Sequence, residues 1–250
     1  MAKKNLIIGG CTYYGINQLK PWVLSVLETM PDADKVLCVG NITHQTRIWL
    51  NDLGFTLIDM PTDTNIPVHV LRFLSIHNFL KDNYLNYNYV VTTDVKDVIF
   101  QSDPFEFLTS SDSTINIIAG SESIAYQDEP WGDDNLKSAY GPYVYEMYKD
   151  KIIYNVGTIG GQSEYVKDLI FNIFTNAINR PIPIVDQAVF NVLIASVLPP
   201  FPTISGFSFT PPFFIACSQL ILFGIWASLR FNCNFLILAG GSTFFFLAAS

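Results

Sequence analysis

Two carboxylates, Asp94 and Asp97, stand at the end of the apolar run Tyr89-Val90-Val91-Thr92-Thr93, with Val95 and Lys96 between them. A buried strand that delivers two carboxylates to its exposed end suits a hard divalent cation, which takes oxygen ligands and bridges substrate phosphates. Mg²⁺ or Mn²⁺ held there would offset the charge of a leaving diphosphate. The plain alternative is an acidic turn that caps a strand. A second polar region comprises Gly120-Ser121-Glu122-Ser123 and Asp128-Glu129-Pro130-Trp131-Gly132-Asp133-Asp134. Acid groups there can bond sugar hydroxyls and the indole can cover an apolar sugar face. Glu122 or Asp128 would be the candidate general base there. The region reads equally well as a solvated acidic loop. The stretch Gly9-Gly10-Cys11-Thr12-Tyr13-Tyr14-Gly15 lacks the Gly-x-Gly-x-x-Gly spacing of a dinucleotide loop, so NAD is set aside.

The elements that must position these residues alternate along the chain. Asn5 to Gly10, Lys35 to Val39, Phe55 to Ile58, Tyr89 to Thr93, Ile115 to Ala119 and Lys151 to Ile159 read as strands. Between them, Leu19, Trp22, Val23, Val26, Leu27 and Met30 fall at intervals of three and four, as do Val166, Leu169, Ile170, Ile173, Phe174 and Ala177. Each set marks one helix face. Pro21 is expected in the first helical turn, where its missing N–H costs nothing. Thr43 to Leu53, Val68 to Leu80 and Ile184 to Val197 complete the helical segments. Strands alternating with helices predict an α/β fold with a mostly parallel sheet covered on both faces. Ligands bind such sheets at the carboxyl ends of the strands.

Composition narrows the function. The chain of 250 residues is half hydrophobic and carries a net charge of −8, which excludes a disordered chain and argues against nucleic-acid binding. The three histidines, His44, His69 and His77, form no metal-ligand spacing, and the four cysteines form no zinc or redox pair. The thiols fit a reducing compartment, and the short first apolar run is no secretory signal, so a cytoplasmic setting is expected. Every Asp and Glu lies at or before Asp186, and Arg230 is the only charged residue from Gln187 onward. With the prolines at 199, 200, 202, 211 and 212, this divides the chain into a domain of residues 1–198 and a hydrophobic tail of 199–250. The tail reads as a membrane anchor, as a strand pair finishing the core, or as out-of-frame sequence. The apolar runs Phe213 to Leu229 and Phe231 to Ser250 are each near the length that spans a bilayer, and an anchor would place the protein at a membrane.

The segment from Tyr89 to Phe105 resembles the strand-to-carboxylate segment of GT-A fold glycosyltransferases, among them the glycogenin-like family and the plant cell-wall nucleotide-sugar transferases. Those carry Asp-x-Asp, an apolar stretch and often Pro-Phe. Counted back from Pro104-Phe105, Asp97 takes the place of the second Asp. Asp94 stands one residue early, as a metal ligand beside Asp97 or as a ribose contact. Asn155-Val156-Gly157 resembles the Asn-x-Gly strand that flanks the donor sugar, and Asp186-Gln187 resembles the Asp-Gln that contacts it. From the residues alone, these two segments are also a strand ending in a turn and a helix N-terminus. Thr12, Tyr13 and Tyr14 correspond to the loop against base and ribose, with a tyrosine able to stack on uracil. Arg72 is placed like the basic residue pointed towards the nucleotide, or is a solvated helix charge. The resemblance implies transfer of a hexose or related sugar from a nucleoside diphosphate sugar to an acceptor hydroxyl on a carbohydrate or glycoconjugate. It implies a Mn²⁺ or Mg²⁺ cofactor and, by analogy with the retaining families, retention of configuration. A catalytically inactive glycosyltransferase-like binding module is the alternative. A sugar-nucleotide-forming enzyme lacks support, because no Gly-rich basic loop stands near the N-terminus.

Overall fold

A computed structural model describes residues 3–61, 64–110, 116–196, 214–216, 234–240 and 243–249. In chain order the elements are β1 (Lys4–Thr12), α1 (Ile16–Thr29), β2 (Asp34–Gly40), α2 (His44–Asp52), β3 (Thr56–Asp59), α3 (Val68–Asn83), β4 (Tyr87–Thr93), β5 (Val98–Phe100) and α4 (Pro104–Ser110). They continue with β6 (Ile117–Ala125), α5 (Pro130–Tyr148), β7 (Ile152–Gln162), α6 (Ser163–Ala177) and α7 (Asp186–Ser196). The main sheet runs β3-β2-β1-β4-β7-β6. Strands β3, β2, β1 and β4 are parallel, whereas β7 is antiparallel to both β4 and β6. The expected α/β fold with a mostly parallel sheet is therefore present.

Strand alternation explains the two faces. Leu6, Ile8, Val36, Cys38 and Val90 point to one side, where α3, α6 and α7 bring Phe73, Ile76, Ile170, Ile173 and Phe190. Ile7, Leu37, Val39 and Val91 point to the other, against Leu19, Trp22, Val23 and Val26 of α1 and Leu50 of α2. Each face buries its own apolar cluster, so neither side of the sheet meets water.

Topology then locates the site. The chain lays down β1, β2 and β3 towards one edge and returns to place β4 on the other side of β1. The carboxyl ends of β1 and β4 consequently diverge into a crevice, the usual ligand position in open α/β sheets.

Two expectations change. Helix α1 starts at Ile16, so Pro21 lies in its second turn rather than its first. The earlier start is set by Gly15, whose N–H donates to Gln18 Oε1 at 3.0 Å. The acidic stretch from Pro130 to Asp134 is no loop but the first turns of α5, with Pro130 at the start and Glu129 as its cap. That helix breaks at Gly141, where φ is 77°, just before Pro142. In the tail, the expected division at residue 199 and most of the run Phe213 to Leu229 lie outside the described residues, whereas most of the run Phe231 to Ser250 is described. The strands β8 (Phe214–Ala216), β9 (Asn234–Gly240) and β10 (Thr243–Ala249) form a second sheet with β5, in the order β10-β9-β8-β5. Among the described residues, no helix is long and apolar enough to cross a membrane.

Candidate active site

The crevice is organised from the end of β4. Val95 turns back into the core at 2% exposure, and a methyl group on Gly9 of β1 would lie 2.4 Å from its Cγ1. A glycine is needed at position 9, and the inward turn of Val95 is what separates Asp94 and Asp97 by two residues. Thr93, the last residue of β4, accepts a buried hydrogen bond from Trp22 Nε1 at 2.8 Å, tying the strand end to α1.

On the other side of β4 lies β7. The ladder extends one step past Thr93, with Asp94 N–H donating to Gly157 O at 2.8 Å. Strand β7 bulges there: Ala119 of β6 faces Ile159, but Gly120 faces Asn155, so Val156, Gly157 and Thr158 have no β6 partner. Asn155 Oδ1 holds the bulge by accepting from Gly157 N–H at 2.8 Å. A side chain at Gly157 would begin 2.4 Å from Asp94 Oδ2 and 2.9 Å from Asn155 Oδ1, which explains the glycine in Asn-x-Gly.

From Asn155 the contacts run on and close upon themselves. Asn155 Nδ2 donates to Glu122 Oε1 at 3.1 Å, and Gln187 Nε2 donates to the same oxygen at 3.2 Å. Asp186, beside Gln187 at the start of α7, accepts from Arg72 Nη2 at 2.9 Å. Arg72 Nη1 in turn pairs with Asp94 Oδ1, where the circuit began. Arg72, Asp94, Asn155, Gly157, Glu122, Asp186 and Gln187, which come from four strands and helices plus one strand end, are thus one hydrogen-bonded ring. Arg72 is no solvated helix charge: its side chain is 15% exposed, and that of Asp186 is 7%. A buried pair of this kind holds only because both carboxylates answer the guanidinium. Among the described residues, Arg72 Nε and Thr158 Oγ1 are buried without a hydrogen-bond partner.

Burial pushes the Glu122 carboxyl above its ordinary range, while the amides of Asn155 and Gln187 pull it back. Burial also raises Asp97, opposed by its own backbone amide, Lys96 and Arg72. Asp97 forms no ion pair among the described residues. Its charge reaches Tyr14 of the β1 loop, whose phenol is raised first by burial and then by Asp97. A cation at Asp97 would relieve that burial cost, so the residue fits a divalent ion. Asp94 offers it less, since Oδ1 is taken by Arg72. Among the described residues no group of three or more His, Cys, Asp or Glu side chains converges. A Mg²⁺ or Mn²⁺ here would thus rest on Asp97 and Asp94 and complete its shell with phosphate oxygens and water, as such ions commonly do.

The opposite rim is formed by β1 and β2. Thr12 pairs with Gly40. Tyr13 and Asn41 follow, and both have left-handed backbones, with φ of 59° and 52°. For a bulky tyrosine that conformation is an outlier, of the sort that collects at functional sites. Asn41 Nδ2 donates to the Tyr13 hydroxyl at 2.9 Å, and the Tyr13 ring stands 75% exposed.

No protein-family model matches the sequence, and no curated protein matches it either. The fold, by contrast, is shared with 229 chains of solved structures. One is the apo structure of WbbM, described as a bifunctional glycosyltransferase, with a TM-score of 0.52 and 10% identity over 76% of this chain and 37% of that one. The chain spans little more than a third of that protein's length. At this identity the likeness is one of fold.

Asp128 lies apart from the ring, exposed on the surface. The buried carboxylate of its segment is Glu129, which caps α5 by accepting from the N–H groups of Trp131 and Gly132. Sequence reasoning passed over two residues. Asn191 of α7 is 6% exposed and exchanges hydrogen bonds with both backbone groups of Tyr154, each 2.8 Å, and its Nδ2 also reaches Gln187 O. It fixes α7 to β7 just where Gln187 must be placed. An amide inside the apolar run Ala188 to Leu193 was the available signal. Asn41 gave none, since an Asn-Ile-Thr turn reads as ordinary loop.

Proposed function

We propose that the domain transfers a sugar from a nucleoside diphosphate sugar to an acceptor hydroxyl on a carbohydrate or glycoconjugate. The observation that carries this reading is the closed ring at the β1/β4 crevice, which assembles Asp94, Asn155, Gly157, Asp186 and Gln187 around one point. Tyr13 supplies a flat ring for the base, with Thr12 and Tyr14 beside the ribose. Asp186 and Gln187 orient the sugar, and Arg72 holds Asp186 and Asp94 in register. Mn²⁺ or Mg²⁺ on Asp97 and Asp94 would offset the charge of the leaving diphosphate. Retention of configuration is the preferred outcome, by analogy with the retaining families that the donor-sugar segments resemble. The binding unit lies within residues 1–198 and works in the cytoplasm, with the tail, a membrane tether or out-of-frame sequence, outside it.

An inactive binding module is the second reading, favoured by the Arg72–Asp94 pair, which competes with a cation for one of two carboxylates. Calorimetry with uridine and guanosine diphosphate sugars, with Mn²⁺ and with EDTA, tests the first. Binding that needs the metal is expected, and affinity unchanged by EDTA would overturn the metal assignment. Metal-dependent donor hydrolysis separates an enzyme from a binding module. A chain ending at Leu198 should keep nucleotide binding; failure to fold beside a soluble full-length control would show that the tail completes the core.

A further inference from the structure

Glu122 is the only fully buried residue of β6, at 5% exposure in a strand otherwise half-buried or exposed. A carboxylate in that position needs a reason, because removal from water is costly unless its oxygens are answered. The answer comes from two amides on different elements, Asn155 Nδ2 of β7 and Gln187 Nε2 of α7, both on Oε1. An ionised carboxylate only accepts hydrogen bonds, whereas a carboxamide accepts at one end and donates at the other. Glu122 therefore decides which end of each amide faces it. In Asn155 the turned-away oxygen is used at once, by Gly157 N–H at 2.8 Å. In Gln187 the oxygen has no partner among the described residues, and the side chain is half-buried.

We propose that Glu122 is a positioning residue for recognition of the donor sugar: it sets the amide polarity of Gln187 and Asn155, so that Gln187 presents its carbonyl oxygen to a sugar hydroxyl. This deepens the sugar-nucleotide reading and rests on it. The ligand feature it selects is a hydroxyl that donates, so a deoxygenated or O-methylated sugar at the contacted carbon is rejected. Glu122 acts through the amides and does not itself touch the sugar. Glu122 Oε2 accepts no hydrogen bond among the described residues, so catalytic base is the rival role, and the test below separates the two.

The test compares Glu122→Ala and Glu122→Gln in the full chain by calorimetry, with a uridine diphosphate hexose and with uridine diphosphate alone, Mn²⁺ present. Glu122→Ala should weaken the sugar nucleotide about three- to tenfold, as for one lost neutral hydrogen bond between the Gln187 carbonyl and a sugar hydroxyl, and leave the free diphosphate unchanged. Glu122→Gln keeps an oxygen able to accept both N–H groups and should recover most of that loss. Should the alanine variant fail to fold by thermal melting, Glu122→Met fills the space without an acceptor and carries the same comparison. Nitrogen-edited NMR gives a ligand-free readout: the side-chain amide protons of Asn155 and Gln187 should move together on removal of Glu122 and stay close to wild type in Glu122→Gln. Equal loss for both ligands would make Glu122 merely structural. Normal sugar-nucleotide binding with transfer abolished in Glu122→Gln would make it the base. Unmoved amide signals would sink its positioning role alone, while a wild-type protein that binds no sugar nucleotide would sink the functional reading beneath it.

Discussion

On the rim formed by β4, β7 and α7, side chains from distant segments hold one another beneath the surface, with Arg72, Glu122 and Asp186 nearly buried. On the rim formed by β1 and β2, Tyr13 and Asn41 stand in solvent on left-handed backbone and share a single surface hydrogen bond. The first rim is preorganised: its geometry exists before a ligand arrives, and its cost is met by mutual hydrogen bonding. The second is a flat ring on a strained turn, free to adjust to whatever stacks on it. Groups that must discriminate one hydroxyl from another sit on the rigid side, and the group that meets an aromatic base sits on the adaptable one.

The harshest way to break this contrast is to remove the hub of the rigid rim. Arg72→Ala leaves Asp186 buried without its cation, and breaking a buried pair in this way costs about 3–5 kcal/mol. Urea unfolding should show a loss of at least about 3 kcal/mol. A loss below about 1 kcal/mol would mean that water reaches Asp186 and the rim is not rigid.

A smaller effect, confined to ligand binding, is expected at Asp97. Asp97→Asn should reduce metal-dependent sugar-nucleotide affinity on the order of tenfold or more, with little change in melting temperature. Asp103→Asn is the control, because Asp103 Oδ1 accepts from Phe105 N–H at 2.8 Å at the start of α4, away from the crevice. Equal losses in the two variants would refute the assignment.

The rigid rim should also reveal itself in acid. Burial raises Glu122, so across the window from the ordinary glutamate value of about pH 4.3 up to its folded value the native state binds the extra proton. Stability then falls as pH rises through that window, the opposite of a salt-bridged carboxylate. Glu122→Gln should make the stability profile less negative in slope there. The same slope in both proteins would assign the effect elsewhere, with Asp97, raised in the same direction, as the first suspect.

The smallest change belongs to the open rim. Asn41→Ala removes one exposed hydrogen bond, worth about 0.5–1.5 kcal/mol at most. It should weaken uridine diphosphate by about threefold and lower stability by about 1 kcal/mol, because alanine adopts the left-handed backbone of position 41 less readily than asparagine. Combined with Tyr13→Phe it should add nothing, since both remove the same bond. Additive losses would show that the two residues meet the ligand separately.

Much of the fold was legible in one dimension, because burial imposes periods that residues display wherever they pack. The spacing of Leu19, Trp22, Val23 and Val26 places α1, and the apolar runs at Leu6–Ile8, Val36–Val39 and Val90–Val91 place three central strands. The carboxylates after β4, the Asn-x-Gly of β7 and the Asp-Gln of α7 could likewise be picked out, since each is a local pattern. Helix α5 was hidden, because its first turns are acidic and its apolar period is broken at Gly141-Pro142. What no local pattern carries is who meets whom. That β7 inserts antiparallel between β4 and β6, that its bulge sets Gly157 against Asp94, and that Arg72 spans 22 residues to Asp94 and 114 to Asp186 are matters of strand order and register. Those are decided only when the two faces of the sheet are covered at once, so the residue types were written in the sequence while their partnership came from tertiary packing.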